Sequence, residues 1–557
     1  MQKHFNTAGP QIAALHYQLD PLARIDLPMV LDLIAQQRYF VLHAPRQTGK
    51  TTCLLALRDY LNAGSDFAGL HVNIEGAQAA RGDVAAGVRA IIAEIGSHAR
   101  RLLGLDAFEA AIPTILAHSG AQAALSEVLR TLSESLAKPL VLFIDEVDSL
   151  VGDTLISLLR QIRAGYTDRP KNFPQTIVLC GVRDVRDYRM TMSDGEVITG
   201  GSAFNIKAES LRLGDFSQAD MAALYKQHTD ATGQVFTDEA LELAWLSTQG
   251  QPWLVNALAE QAVWKTKENL DRSIPIDVAR MHDAREALIL RNDTHLDQLA
   301  DKLREPRVRA VIEPMLIGEE LRATEADMQY VLDLGLVRSV LPGKSFAPAN
   351  QIYAEVLPRV LNNTVQYNLH EDRIRSSWRD DAGRLDPRQF LLNFLDFWRE
   401  HGESMVRSVP YHEAAPHLVL MAYLQRVING GGGSSVLSSH ASCAAERAHT
   451  DVRTGNAGAG CVGRIEREYA AGSGRLDLLV IVGDQQMAIE VKVWRTGRKD
   501  PQIEGLLQMQ RYLQRLNLAQ GYLVVFDQRS EAAIWDERMH TSDALTADGK
   551  AVMVLRG

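Results

Sequence analysis

The sequence predicts a multidomain α/β protein that begins with a parallel sheet covered by helices on both faces. Short apolar runs alternate with helical stretches up to about residue 206, and the same alternation returns between about residues 403 and 557. Strands interleaved with helices pair in parallel, because each helix carries the chain back across the sheet. At 557 residues the chain is also too long for one hydrophobic core, which predicts about three or four domains.

The composition narrows the class of protein. With 46% hydrophobic and 23% charged residues the chain is typical of a globular protein, and no apolar run is long enough to span a bilayer. The N-terminus lacks the apolar core of a signal peptide, and the four cysteines form no C-x-x-C pair, so we expect a cytoplasmic protein without a cysteine zinc site. The net charge of −10 gives no sign of nucleic-acid binding by the whole chain, although a local basic groove would be enough.

Four apolar runs predict the strands of the first sheet. Each is short, and each is followed by a turn and a helical stretch. The runs are Tyr39–His43, Gly69–Ile74, Leu140–Ile144 and Thr176–Cys180.

The turn after the first of these strands has the spacing of a phosphate-binding loop. Residues 44–51 match G-x-x-x-x-G-K-[ST], except that Ala44 stands at the first glycine position. A loop that leads into a helix in this way points unpaired backbone N–H groups at an anion. We expect Lys50 to reach the β- and γ-phosphates of ATP and the Thr51 hydroxyl to bind Mg²⁺. The expected nucleotide-binding residues are Ala44, Pro45, Arg46, Gln47, Thr48, Gly49, Lys50, Thr51 and Thr52.

Two carboxylates follow the third strand. The apolar run Leu140–Ile144 leads to Asp145 and Glu146 at its C-terminal end, where ligands bind in open α/β sheets. Asp145 would hold Mg²⁺, directly or through water, and Glu146 would orient or deprotonate the attacking water. Either motif alone can arise by chance, but both occur in order and each at the end of a strand. Together they predict a site for ATP and Mg²⁺.

A third strand end carries an arginine. Arg183 follows Thr176–Cys180 and can reach a γ-phosphate as a charge sensor. A plain surface arginine is the equal alternative, because Arg186 and Arg189 lie in the same loop.

These residues resemble the prokaryotic AAA-like and STAND-type P-loop ATPases, over most of residues 5–360. The resemblance rests on F-N-T-A-G-P at 5–10, H-A-P-R-Q-T-G-K-T-T at 43–52, S-A-F-N-I at 202–206 and G-Q-P-W-L-V-N at 250–256. It implies a helical lid and a winged helix that close over the nucleotide. It also implies that Pro252 lies near the adenine or ribose and that Tyr17 and Arg24 flank the base. For Pro252 the alternative is a plain helix breaker.

A second group of acids lies near the C-terminus. Asp477 opens one apolar run, and Glu490 and Lys492 lie on the next, after a short turn. Because side chains alternate along a strand, Glu490 and Lys492 face the same side. If Asp477 faces that side too, two carboxylates can hold Mg²⁺ and Lys492 can position the water that attacks a phosphodiester. The alternative is a solvated hairpin with ordinary charged residues.

This pattern resembles the PD-(D/E)XK nuclease superfamily, over about residues 405–530. The core of the resemblance is D-(twelve residues)-E-x-K. Gln508 and Tyr512, on the helix that follows, have the Q-x-x-x-Y spacing of the RecB-like branch. The resemblance gives Gln508 a place in the catalytic site.

The same resemblance implies a helix with an acidic residue before the hairpin. Glu413 is the best match, and Glu466 and Glu468 are weaker ones. A Gly-, Ser- and Ala-rich segment, 431–463, separates that helix from the hairpin, and we expect it to be a disordered insertion.

The predicted organisation follows the two resemblances along the chain. It consists of a P-loop ATPase core (1–215), a helical lid (216–280), a winged helix (281–360), a linker (361–402) and a mixed α/β PD-(D/E)XK-like domain (403–557).

Our leading hypothesis is an ATP-regulated, Mg²⁺-dependent DNA nuclease, a combination that resembles prokaryotic defence or mobile-element proteins. A winged helix together with Arg495, Arg498 and Lys499 indicates contacts with the phosphate backbone, although a solvated basic loop is nearly as good an explanation. No pattern of aromatic and basic residues indicates base readout, so we expect no sequence specificity. One alternative is a nucleotide-dependent switch whose nuclease-like domain only binds or scaffolds. Another is a signalling ATPase that forms homo-oligomers on ATP. We expect no membrane partner.

Overall fold

The computed structural model describes most of the chain, and it separates into two units. The described residues are 3–183, 189–191, 197–199, 207–291, 301–317, 323–341, 345–357, 384–408, 415–429, 464–468, 477–482, 485–529 and 538–557. Unit 1 comprises Met1–His295, Gln329–Val337 and Ala349–Ile352, and unit 2 comprises Leu296–Met328, Arg338–Pro348 and Tyr353–Gly557.

A five-stranded parallel sheet lies at the centre of unit 1. In chain order the strands of this unit are β1 (Tyr39–His43), β2 (Ala68–Asn73), β3 (Leu140–Asp145), β4 (Thr176–Gly181), the small hairpin of β5 (Arg189–Thr191) and β6 (Val197–Thr199), and β7 (Lys207–Arg212). The large sheet has the order β2-β3-β4-β1-β7, and all of its pairs are parallel. The four predicted strands are confirmed to within one residue at each end. The sequence analysis does not predict β7, because K-A-E-S-L-R is mostly polar.

Helices cover both faces of this sheet. They are α1 (Leu27–Ala35), α2 (Lys50–Ala63), α3 (Val84–Leu103), α4 (Asp106–His118), α5 (Ala124–Glu134) and α6 (Gly152–Ala164). Along β3, Leu142 and Ile144 pack with α3 to α6, whereas Val141 and Phe143 pack with α1 and α2. Every residue of β3 is buried, because alternate side chains enter two different cores. The predicted two-sided coverage is therefore confirmed.

Helices follow the sheet along the chain. They are α7 (Gln218–Thr232), α8 (Asp238–Thr248), α9 (Pro252–Glu260) and α10 (Val278–Leu290). Capping residues mark where two of these helices begin: Ser217 and Asp220 form a capping box at the start of α7, and Thr237 caps α8. Pro252 occupies the first position of α9, where a missing N–H is harmless.

The next described elements are two helices and a pair of strands. They are α11 (Pro306–Ile317), α12 (Glu325–Asp333), β8 (Val337–Leu341) and β9 (Ser345–Pro348). The strands pair with each other in a two-stranded sheet. That these elements form a winged helix stays a prediction.

A six-stranded mixed sheet lies at the centre of unit 2. Its elements are α13 (Pro387–Ser408), α14 (Ala415–Asn429), β10 (Arg464–Glu468), β11 (Asp477–Val482), β12 (Gln485–Trp494), α15 (Gln502–Arg515), β13 (Gln520–Asp527), β14 (His540–Leu545) and β15 (Ala551–Arg556). The strand order is β10-β11-β12-β13-β15-β14. Strands β10, β11 and β12 are antiparallel, and α15 crosses over to β13, which is parallel to β12. The predicted hairpin and the helix after it are confirmed, whereas β14 and β15 are not predicted from the sequence.

Several predicted features lie outside the described residues. They are Glu413, the segment 202–206, the insertion 431–463 and most of the linker. Helix α13 begins at Pro387, inside the segment predicted as linker, whose end the sequence predicts to merge into a helix over Arg388–Arg399. Within the described part of the chain, no helix is both long and apolar enough to cross a bilayer.

Candidate functional site

The predicted phosphate loop closes around the ammonium group of Lys50. Lys50 Nζ donates to the carbonyl oxygens of Ala44 and Pro45, both at 2.9 Å, and Thr48 Oγ1 donates to Pro45 O at 2.8 Å. Gly49 has φ +88°, and helix α2 begins directly after it. A loop that turns into a helix in this way presents N–H groups to an anion.

Ala44 replaces a glycine without strain. The residues of the loop with positive φ are Gln47 and Gly49, so Ala44 has a backbone that any residue adopts. Gly49 differs, because a Cβ atom built there would lie 2.9 Å from Arg24 Nη1 as well as in the left-handed region. The geometry thus requires glycine at position 49 and not at position 44.

Arg24 holds the outside of the same loop. Its guanidinium donates to Thr48 O and Gly214 O and lies 4.8 Å from the centre of the Phe216 ring. That Arg24 flanks a bound base stays a prediction. Tyr17 is 1% exposed, and its hydroxyl is 3.4 Å from His228 Nδ1. Its position relative to a bound base also stays a prediction.

Asp145 lies at the end of β3 and faces the first turn of α2. Its Oδ2 atom accepts a hydrogen bond from Thr51 Oγ1 at 2.7 Å and lies 3.3 Å from His71 Nε2, and Oδ1 accepts from Glu146 N at 3.0 Å. Burial alone would raise the pKa of Asp145, but hydrogen bonds from His71, Thr51 and Cys180 outweigh it and lower the pKa below its ordinary value. An ionised carboxylate beside a hydroxyl is the kind of hard oxygen pair that Mg²⁺ takes from a protein.

Glu146 follows in a left-handed conformation, at φ 60° and ψ 40°. Its pKa is raised, first by burial and then by the negative charges of Asp148 and Asp145, while Lys50 and Arg46 act in the opposite direction. A carboxylate with a raised pKa is a better acceptor for the proton of an attacking water.

Comparison with known protein families agrees with this geometry. Residues 34–188 match the family described as "AAA domain". This part of the chain is an AAA-type P-loop ATPase domain. The AAA domain binds ATP, and its matched residues include the whole phosphate loop together with Asp145 and Glu146.

Solved structures similar to the chain were also found. The Walker-type ATPase PABY2304 of Pyrococcus abyssi has 15% identity and a TM-score of 0.43, with 63% of this chain and 99% of that one covered. Cdc6p of Pyrobaculum aerophilum has 14% identity and a TM-score of 0.34, with 61% and 92% covered. RuvB of Thermotoga maritima has 14% identity and a TM-score of 0.32, with 60% and 94% covered. A search of curated protein sequences found no match.

Two loops of the AAA domain contact the segment Gln329–Val337, which belongs to the same unit. The guanidinium of Arg183 lies 4.6 Å from the centre of the Tyr330 ring. Gly335 approaches Pro45 so closely that a Cβ atom on it would lie 2.6 Å from Pro45 Cγ. The candidate sensor arginine and the phosphate loop therefore share one neighbouring segment.

Pro252 is buried at the start of α9, and the helix is anchored by its neighbours. Gln251 caps it by accepting from Leu254 N at 2.6 Å, and Trp253 Nε1 donates to Thr7 O at 2.9 Å. The N-terminal segment also reaches α2, where Gln11 N donates to Thr52 Oγ1 at 3.1 Å. The position of Pro252 relative to a bound base stays a prediction.

Three of the predicted C-terminal site residues, Glu490, Lys492 and Gln508, lie in contact in unit 2. Glu490 is 1% exposed, and its Oε1 lies 2.8 Å from Lys492 Nζ. Lys492 Nζ in turn donates to Gln508 Oε1 at 2.6 Å, and Gln508 Nε2 donates to Glu504 Oε1 at 3.1 Å. Tyr512 packs one turn later against the core between α15 and the sheet. Gln508 therefore lies next to the predicted acid and lysine.

The pairing of β11 with β12 gives the position of Asp477, the second predicted acid. Strands β11 and β12 pair Leu478 with Ile489, so the next position in this antiparallel register sets Asp477 opposite Glu490. The side chain of Asp477 lies outside the described residues, as does all of Glu413. Among the described residues, Glu490 Oε2 is buried without a hydrogen-bond partner, so this oxygen is able to bind a cation.

Basic residues follow β12 directly. Arg498 and Lys499 are exposed and Arg495 is half-buried. Trp494 packs beneath them: its Nε1 donates to Arg498 O at 3.0 Å, and the Arg529 guanidinium lies 3.4 Å from the centre of its ring. No local pattern in the sequence marks Arg529, because it comes to this end of the sheet only through the parallel pairing of β12 with β13.

Proposed function

We propose that the chain is a Mg²⁺-dependent ATPase that acts as a switch for a nuclease domain in its C-terminal part. The observation that carries the ATPase half is the contact between Thr51 and the ionised Asp145 at the end of β3. These two oxygen donors would hold Mg²⁺, which would neutralise charge on the phosphates of ATP.

The chain's own residues supply the rest of the hydrolysis. Lys50 and the N–H groups of the loop would hold the β- and γ-phosphates, in place of the carbonyl contacts that Lys50 makes within the loop. Glu146 would take a proton from water as the water oxygen attacks the γ-phosphorus. The bond from that phosphorus to the bridging oxygen then breaks, which leaves ADP and phosphate.

Support for the nuclease half comes from the order of elements in unit 2. Helix α14, the hairpin of β11 and β12, helix α15 and the parallel strand β13 occur in the order that the resemblance to PD-(D/E)XK nucleases implies. The observation that carries this half is the buried Glu490, paired with Lys492, which in turn donates to Gln508.

Asp477 and Glu490 would hold the Mg²⁺ of this second site, which would stabilise charge on the scissile phosphate. Lys492 would orient the attacking water, because Gln508 and Glu490 fix its ammonium group from two sides. The water oxygen would form a bond to phosphorus while its proton passes to solvent, and the bond from phosphorus to the leaving sugar oxygen would break as that oxygen takes a proton from solvent. Arg498 and Lys499, both exposed beside this strand, would contact DNA phosphates.

Cleavage of linear and circular DNA in Mg²⁺, with and without ATP, tests the proposal. The variants are Lys50→Ala for the ATPase site and Glu490→Gln for the nuclease site. Glu239→Gln, an exposed acid on α8, is the matched control for loss of one carboxylate.

A gated nuclease loses cleavage in Glu490→Gln, changes its response to ATP in Lys50→Ala and is unaffected in Glu239→Gln. Absence of cleavage in the wild type, together with ATPase activity that Lys50→Ala abolishes, would leave a nucleotide-dependent switch with a scaffolding C-terminal domain. Size-exclusion chromatography with and without ATP separates that result from a signalling ATPase that forms homo-oligomers.

A further inference from the structure

A buried histidine contacts the carboxylate at the end of β3. His71 lies on β2, is 6% exposed, and places Nε2 3.3 Å from Asp145 Oδ2. The parallel register pairs His71 with Phe143 and Asn73 with Asp145. The imidazole therefore extends along the strand by two residues, towards the edge of the sheet where the nucleotide binds.

The direction of this hydrogen bond follows from the chemistry of the partner. An ionised carboxylate only accepts, so Nε2 of His71 carries the hydrogen and donates it to Oδ2. The same oxygen accepts from Thr51 Oγ1 at 2.7 Å, and Oδ1 accepts from Glu146 N at 3.0 Å. Asp145 is thus held by α2, by β2 and by the backbone that follows it.

These contacts differ in how firmly they fix the carboxylate. The Thr51 hydroxyl rotates freely about its C–O bond, and it is itself an expected ligand of Mg²⁺. The imidazole is a flat, rigid group that is packed between β2 and its neighbours and has one direction in which to donate. His71 is therefore better suited than Thr51 to keep the plane of the carboxylate constant while ligands come and go.

We propose that His71 is a positioning residue that orients the Asp145 carboxylate towards the Mg²⁺ of bound Mg·ATP. This inference rests on the proposed Mg·ATP site. The competing explanation is a core histidine whose role is to fill space and satisfy a buried acid. The two differ in their consequences: a positioning role changes the affinity for Mg²⁺, whereas a space-filling role changes only stability.

Binding of a fluorescent ATP analogue, N-methylanthraniloyl-ATP, to the full chain separates them. The analogue is held at a fixed concentration while MgCl₂ is added, and the free Mg²⁺ at half-maximal signal is measured. His71→Met keeps most of the side-chain volume and removes the donor, so we expect it to need about tenfold more Mg²⁺, the usual effect of removing a partner that orients a metal ligand. Binding of the analogue in EDTA should equal that of the wild type.

Two further variants make the result specific. His71→Gln can place an amide N–H near the position of Nε2, and we expect it to return to within about threefold of the wild type, since it restores the donor. Val72→Ala removes buried volume from the same strand on the opposite face, where Val72 packs with α3 to α6, and should lower the melting temperature without changing the Mg²⁺ requirement.

An unchanged Mg²⁺ requirement in His71→Met overturns the positioning role. If His71→Met does not fold, His71→Asn replaces it, because its shorter amide cannot reach Asp145, and the same tenfold shift or its absence decides. A wild type that binds the analogue equally well with and without Mg²⁺ contradicts the proposed Mg·ATP site itself, which is a different result.

Discussion

Substitution of Gly49 by alanine should lower the free energy of unfolding for two separable reasons. The residue has φ +88°, and an alanine in the left-handed region costs about 1–2 kcal/mol. Its Cβ would also lie 2.9 Å from Arg24 Nη1, so the guanidinium has to shift, which weakens or breaks its hydrogen bond to Thr48 O. A hydrogen bond from a charged group to a carbonyl contributes about 1.5–3 kcal/mol. Because Arg24 is only half-buried, we take the lower end and expect a total loss of roughly 2–4 kcal/mol.

The assay is urea unfolding of the wild type, Gly49→Ala, Arg24→Ala and the double variant. If the clash with Arg24 contributes, Gly49→Ala costs less in the Arg24→Ala background than in the wild type, and a double-mutant cycle measures the difference. The reference substitution is Ala44→Gly, which restores the glycine of the usual motif where φ does not require it. We expect it to lower stability by about 0.4–1 kcal/mol and to leave nucleotide binding unchanged.

A Gly49→Ala variant as stable as the wild type would refute the assignment of strain to this residue. Strict additivity in the cycle would refute the clash and leave the backbone conformation as the whole cause. An Ala44→Gly variant that binds nucleotide clearly better than the wild type would show that the replacement of glycine does impair the loop.

Three other substitutions, at Glu146, Glu490 and Trp398, have expected outcomes that can be measured. The pKa of Glu146 is raised, and a base acts only when it is deprotonated, so the rate of ATP hydrolysis should fall on the acidic side at a higher pH than an ordinary carboxylate would give. Glu146→Gln should abolish hydrolysis while a filter-binding assay still detects bound ATP. Full hydrolysis in that variant would exclude Glu146 as the base. Glu490→Gln should leave ATP hydrolysis intact and remove DNA cleavage, since it takes the carboxylate from Lys492 and from the proposed metal; cleavage at the wild-type rate would exclude Glu490 from catalysis. Trp398→Ala should destabilise unit 2 by about 3–5 kcal/mol in thermal unfolding, because the indole is 2% exposed and packs against Phe394 and Phe526, whereas a change below 1 kcal/mol would contradict that packing.

Much of the candidate site was predictable because its residues are close in sequence. The phosphate loop and the two acids at the end of β3 are local patterns, and each follows a short apolar run whose length and flanking turn predict a buried strand. The same holds for Glu490 and Lys492, which share a face because they are two residues apart on β12. In these cases the periodicity of one strand or one turn is enough to say which side chains meet.

Other features depend on contacts between distant segments. His71 carries no signal of its own, and it reaches Asp145 only because β2 and β3 are neighbours in the sheet. Arg24 likewise contacts Thr48 and Gly214 through packing that no local pattern encodes. Strand β7 is polar, and its place beside β1 is set by pairing and not by its own hydrophobicity.

The sequence by itself therefore determined the parallel-sheet class of the ATPase core and predicted the residues of the two candidate sites, because helices, strands and phosphate loops are specified by residues near one another in the chain. The tertiary structure alone decided which strands are neighbours, that the alanine at position 44 is unstrained, and which side chains hold Asp145 in place. Those facts depend on backbone angles and on contacts between segments that are far apart in sequence, and neither is encoded in a local pattern.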